Sequence, residues 1–213
     1  MKFDYEIVYS KRRSVGISVT SENKVILRCP IGMPKARAER FLYEKQGWVE
    51  RALNKNAVKL DAYSDVIAFE CALVKGVKVP LIIGSKKAEI TENGVFVKDI
   101  KYIKRLYLKV FEQDFIKRVE NIAKTCGFNY GGLTVKNYKS RWGCCDSKNN
   151  LSFNYKLFML PQYVSDYVII HELCHTVHHN HSKEFWRLVA KFVPDYSLIK
   201  KDLKGYDFLT TLY

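Results

Sequence analysis

The chain has 213 residues, 47% of them hydrophobic, and a formal net charge of +14. That length and hydrophobic content are enough for a buried core and exclude a disordered, repetitive or fibrous chain. No stretch approaches the length of a transmembrane helix, and the opening Met1-Lys-Phe-Asp-Tyr-Glu6 alternates charged with apolar residues, so neither a membrane span nor a secretory leader is expected.

In chain order, residues 14–20 and 24–28 alternate apolar with polar side chains around Ser21-Glu-Asn23, which is the pattern of a β-hairpin. A helix is expected from about Pro34, with Phe41, Trp48, Val49 and Leu53 on its apolar stripe and Gly47 weakening its middle. Residues 66–98 read as short strands with Gly76, Gly84 and Asn93-Gly94 at the turns. Residues 1–100 are therefore expected to form a β-rich N-terminal module. The positive excess lies mainly here: residues 1–110 hold 22 Lys/Arg against 12 Asp/Glu, and the remainder 14 against 10. Such an excess suits nucleic acid or another polyanion as a partner, although solubility alone also accounts for it. The Lys11-Arg12-Arg13 run is read as a solvated face.

Residues 101–213 are expected to form the catalytic domain. It opens with a long helix over 102–126, whose Leu106, Val110, Phe111, Phe115, Val119 and Ile122 mark one face. Strands follow over 133–138 and 151–154, with a loop at 139–146 between them. An edge strand beside a metal helix can hold an extended peptide by main-chain hydrogen bonds. Helices are expected to start again near Ser182 and Asp195. Six cysteines, at 29, 71, 126, 144, 145 and 174, form no Cys-x-x-Cys pair and no disulfide framework, which fits reduced thiols in cytoplasm. Cys144, Cys145 and Cys174 are read as packing residues.

All five histidines fall between positions 171 and 181, and the first of them open a His171-Glu-Leu-Cys-His175 pattern. On a helix His171 and His175 lie about 6 Å apart on one face and can converge on a single ion. Glu172 then stands about 100° round the helix, placed to act as a general base on a metal-bound water without displacing it. Zinc (Zn2+) is the expected ion, because it accepts neutral imidazoles and keeps a fourth position open. A third ligand is needed. A continued helix would carry His181 roughly 9 Å beyond His175, so the chain has to break and return. Asn180 is suited to the left-handed turn that would end the helix, and Ser182 to capping the next one. His181 is preferred to Glu184, the second choice. His178 shares the stripe of His171 and His175, but three rings stacked along about 10 Å of straight helix cannot surround one ion.

Three runs, Arg141-Trp-Gly-Cys-Cys-Asp-Ser-Lys148, Leu151-Ser-Phe-Asn-Tyr-Lys-Leu157 and His171 through Asn180-His-Ser-Lys-Glu-Phe-Trp186, resemble the YgjP-like metallopeptidase family. Arg12-Arg13-Ser14 and Gln46-Gly-Trp48 extend the resemblance to the N-terminal region. It implies an α+β fold: a minimal zincin-like core of a short mixed sheet plus helices, similar to SprT-like proteases, behind the β-rich module. The family's metal positions carry over onto His171, His175 and His181, and its catalytic glutamate onto Glu172. Cys144 stands where the family usually has serine, and Asn149 where it commonly has glycine.

Beside this core, Arg141 is a candidate for holding a substrate carboxylate or phosphate, Trp142 for walling the cleft, and Asn154, with Lys156 behind it, for substrate contact. The reading is a cytoplasmic zinc metallopeptidase of His-Glu-x-x-His type acting on a peptide or protein. Two alternatives stay open: a metal-dependent hydrolase of a nucleotide or phosphoester, and a nucleic-acid-associated binding protein with structural zinc.

Overall fold

The computed structural model describes residues 3–20 and 22–212, so Met1, Lys2 and the Ser21 of the expected hairpin turn lie outside it. The chain forms two compact units, Met1–Ser64 and Asp65–Tyr213. Among the described residues no helix is long and apolar enough to cross a membrane.

In the first unit a three-stranded sheet has β3 (Val25–Pro30) at its centre, with β1 (Tyr5–Ser10) parallel to it and β2 (Gly16–Val19) antiparallel. The β2–β3 pair is the expected hairpin. Strand alternation turns Val25, Leu27 and Cys29 to one face, where all three are buried against Ala38, Leu42 and Val49. Those last residues come from two helices, α1 (Lys35–Glu44) and α2 (Gln46–Ala62), where the sequence suggested one. The break is at Lys45, whose φ of −102° and ψ of 8° leave the helical region, two residues before the Gly47 that was expected to weaken the helix. A four-residue helix, α3 (Ser64–Ile67), follows.

Residues 65–100, read from the sequence with the N-terminal module, pack in the second unit. A four-stranded sheet runs β4 (Cys71–Val74), β5 (Val77–Ile83), β7 (Gly94–Val97), β6 (Glu89–Thr91). The β4–β5 turn is a two-residue hairpin with φ of 50° at Lys75 and 86° at Gly76. Its tip is tied down, because the Lys75 and Gly76 amides donate to Phe158 O (3.0 Å) and Met159 O (2.8 Å). A Cβ on Gly76 would lie 2.6 Å from the ring of Pro161, so only glycine permits this approach. The Tyr107 hydroxyl donates to Leu73 O at 2.7 Å from the long helix α4 (Ile103–Cys126).

That helix ends at Cys126, the expected bound, with Gly127 at φ 74° and the Phe128 amide returning to Ala123 O at 2.8 Å. Its buried face is Leu106, Tyr107, Phe115, Val119 and Ala123, whereas Val110 is exposed. Phe115 packs on Phe153 and Phe158, with ring centroids 5.4 and 5.2 Å away.

The second sheet of this unit has β10 (Leu151–Asn154) between β8 (Leu133–Lys136), which is parallel, and β9 (Gly143–Cys145), which is antiparallel. β9 lies inside the segment read as a loop. The β9–β10 turn is organised by Asp146, whose carboxylate accepts from the Lys148 and Asn150 amides at 2.8 and 2.9 Å. Asn149 takes φ 60° there, the left-handed region in which glycine is free and asparagine is tolerated, so asparagine suits this position. Helix α5 (Gln162–His175) runs through the core with Val164, Tyr167, Val168, Ile169, Leu173 and Cys174 buried. Helices α6 (Lys183–Phe192) and α7 (Tyr196–Leu203) and a 3-10 segment, Lys204–Thr210, close the chain.

Candidate metal centre and active cleft

His171 and His175 lie one turn apart in the last half of α5, and the helix stops at His175. The chain then turns back to His181. Asn180 is not left-handed, contrary to expectation. Its side-chain oxygen accepts from the Ser182 amide at 3.1 Å, closing the turn through the side chain instead of through backbone strain. Ser182 caps α6 by accepting from the Phe185 amide at 3.3 Å, as its type and position suggest.

The result is a cluster in which one ring nitrogen from each of His171, His175 and His181 lies within 4.8 Å of the others. His171 Nε2 and His181 Nε2 are 3.2 Å apart. Two nitrogens bound about 2.0–2.1 Å from one tetrahedral ion would lie roughly 3.4 Å apart, so this donor set fits a divalent metal. His175 Nδ1 donates to His178 O at 2.9 Å, which leaves Nε2 as its lone-pair donor. His178 thus supports a ligand through its backbone and is outside the cluster. The buried His171 Nδ1 has no hydrogen-bond partner.

Burial, and then its neighbours His175, His181 and Lys200, pushes His171 down to about 3. Burial also lowers His175, against the pull of the His178 carbonyl. Both rings are therefore held neutral, the form that binds metal.

Aromatic residues fix the rings. His175 stacks on Phe185 with centroids 4.3 Å apart, and His181 on Trp186 at 5.5 Å. Trp186 in turn stacks on Tyr196 at 5.1 Å. Because Phe185 and Trp186 follow the Ser182 cap directly, the third ligand and its packing partners are positioned by the same helix start. Glu184, the second choice as ligand, stays at that helix start, where its own amide and Ser182 hold its carboxyl below the usual range. Cys174 is fully buried and is not part of the cluster.

Glu172 is 6% exposed, and burial raises its carboxyl to about 7 against the opposing pull of the Cys145 amide and Arg141. It packs against β9 so closely that a Cβ on Gly143 would lie 2.6 Å from its Cγ. Along the chain Gly143 is marked only by its place in the Arg141-Trp-Gly-Cys-Cys run, because its contact with Glu172 spans 29 positions.

Glu172, His171 and His181 open into a cleft of about 560 Å³ together with Arg141, Trp142, Tyr167 and Trp186. The other wall comes from Lys200, Leu203, Lys204 and Asp207. Trp142, a cleft-wall candidate from the sequence, lines the cleft as a largely buried side chain, with Nε1 donating to Asp207 Oδ1 at 3.1 Å. Arg141 is exposed at the cleft and lies over the Tyr138 ring at 5.5 Å.

Asn154 is a different matter. It is fully buried, and its amide donates to Tyr138 O (2.8 Å) and Arg141 O (3.0 Å) while its oxygen accepts from the Lys156 amide (3.3 Å). It is therefore no substrate contact: all its groups are used in clamping the Tyr138–Arg141 loop. Lys156 is 1% exposed and donates to Thr210 O at 2.8 Å, also away from the cleft.

Compared with known protein families, residues 13–206 match the one described as YgjP-like, metallopeptidase domain. The chain belongs to the YgjP-like family. The resemblance carried by the Arg141–Lys148 and His171–Trp186 runs is thus upheld across both units, and the mixed helices and small sheets agree with a zincin-like metallopeptidase domain. No curated protein and no solved structure matches the chain. Among the described residues the histidine cluster can hold the divalent metal that a metallopeptidase domain implies.

Proposed function

We propose that this protein is a zinc-dependent peptidase with His171, His175 and His181 as metal ligands and Glu172 as general base. The observation that carries the proposal is the convergence of three imidazole nitrogens within 4.8 Å at a cleft that also exposes one buried carboxyl. Three neutral imidazoles favour zinc among common divalent ions and leave a coordination position open. When bound, zinc supplies Lewis acidity, polarising the scissile carbonyl and acidifying the attacking water.

Glu172 takes the proton of that water. Burial, which raises this carboxyl above its ordinary range in the metal-free site, favours the protonated form that Glu172 would pass through before giving the proton to the departing amine. Strand β9 supplies the means of orienting a peptide. The Asn154 amide donates to Trp142 O at 2.8 Å and the Asp146 amide to Asn150 O at 3.0 Å. By antiparallel alternation Gly143 and Cys145 turn their backbone groups away from β10, and the Cys145 amide already meets Glu172. An extended peptide laid along this edge would present its carbonyls beside Glu172. Six unpaired cysteines support a reducing, cytoplasmic setting.

The test is metal content and hydrolysis of wild type, His181→Ala and Glu172→Gln over a panel of peptides, proteins and nucleotides. Expected are about one zinc per chain in wild type and Glu172→Gln, loss of zinc in His181→Ala, and peptide cleavage by wild type alone. Cleavage unchanged in Glu172→Gln would overturn the reading, and hydrolysis of nucleotides alone would replace the substrate.

A further inference from the structure

The charged side chains of the cleft are distributed unevenly. Arg141 stands on the β9 wall and Lys200 and Lys204 on the wall made by α7 and the following 3-10 segment. All three are exposed, and among the described residues none forms an ion pair with a carboxylate. Lys200 Nζ lies 4.3 Å over the Trp186 ring, which holds the ammonium at the cleft without neutralising it. Two carboxylates share the cleft. Asp207 accepts from Trp142 Nε1 and so is engaged by the wall, and Glu172 is buried against Gly143. Cations left unpaired on both walls of a concave site focus a positive potential into it.

We propose that the cleft selects peptides carrying a carboxylate close to the scissile bond, with Arg141 on one side and Lys200 and Lys204 on the other as the residues that read it. The proposal rests on the peptidase reading of the site and adds its substrate class. A peptide is favoured over other anions because the outward edge of β9 offers main-chain hydrogen bonds alongside these cations. The carboxylate has two sources, an internal Asp or Glu side chain and a free C-terminus, and both present the same planar anion to Arg141.

The experiment is calorimetric binding to zinc-loaded Glu172→Gln protein, which holds substrate without turning it over. Four peptides of equal length serve as probes: neutral with an amidated end, neutral with a free C-terminus, internally acidic and amidated, and basic and amidated. The expected result is at least about tenfold tighter binding of one or both carboxylate peptides over the neutral amide at low salt, shrinking as salt rises. Adding Lys200→Glu and Lys204→Glu should remove that advantage. Lys109→Glu with Lys124→Glu changes the net charge equally from exposed positions on α4 outside the cleft, and should leave the advantage in place. Equal binding of all four peptides, no binding of any, or equal loss in both double variants would overturn the proposal. Failure of the peptidase reading is seen separately, as carboxylate-selective binding by a wild-type protein that cleaves none of the four.

Discussion

Gly143 and Glu172 meet backbone to side chain, with no room between them: a Cβ on Gly143 would lie 2.6 Å from Glu172 Cγ and 2.7 Å from its Oε1. Real carbon atoms do not approach so closely, so the missing side chain on β9 sets where the carboxylate stands. Gly143→Ala has to push Glu172, the strand or both. The expected outcome is a loss of about 1–3 kcal/mol in stability from overpacking. Peptide hydrolysis should fall about a hundredfold, because a displaced catalytic group loses its attack geometry. Zinc stoichiometry, measured alongside, should be unchanged; full activity in the alanine variant would show that Glu172 need not stand where β9 holds it.

Phe185 links the stability of the domain to the metal centre. It is fully buried and stacks on His175 at 4.3 Å. Phe185→Ala should lower unfolding free energy by about 3–5 kcal/mol, as truncation of a core aromatic does. Phe185→Leu retains most of the apolar volume but not the ring stack. Zinc affinity, read by competition with a chromogenic chelator, should fall roughly 10–100-fold even in the leucine variant, because the ring that orients a ligand is gone. Unaltered affinity in Phe185→Leu would reduce the residue to core packing.

Asn154 ties three backbone groups together and through them positions Arg141 and Trp142. Asn154→Asp replaces a donor facing two carbonyls with an acceptor. It should cost about 1–3 kcal/mol for each carbonyl left unmatched in a buried site. At temperatures where the variant stays folded, KM for a carboxylate peptide should rise with zinc content unchanged. A variant of native stability and native KM would contradict the clamp.

Lys156 gives the molecule a pH dependence of its own. Burial, and then Lys139, lowers its ammonium to about 8, whereas an unfolded chain titrates near 10.5. Between those values the unfolded state binds more protons, so stability rises with pH across about 8 to 10.5; below about 8 both states are charged and the penalty is constant. The size of the rise is on the order of 3 kcal/mol. Thermal unfolding followed from pH 7 to 11 should therefore show a component that rises with pH in wild type and is missing in Lys156→Met. Parallel pH profiles for the two proteins would remove Lys156 as its source.

Much of the centre was readable along the chain because its determinants are local. His171 and His175 share a helix face by their spacing, the apolar run before them buries that helix, and Ser182 announces the restart that sets His181 beside them. Helix α4 ended at the expected Cys126, and β8 and β10 lay where alternation suggested, for the same reason. A period in the sequence reports which face of an element is buried, not what it is buried against. The parallel β1–β3 pairing, β9 within an apparent loop and the packing of residues 65–100 with the second unit depend on partners far along the chain. So do the Trp142–Asp207 hydrogen bond across 65 positions and the Arg141, Lys200 and Lys204 lining of one cleft. The sequence by itself therefore determined the histidine cluster that can hold a metal, through the residue types and turn signals of one short segment. Only the tertiary structure decided the shape and charge of what faces it, because backbone groups from distant segments must pair and distant surfaces must meet before a cleft exists.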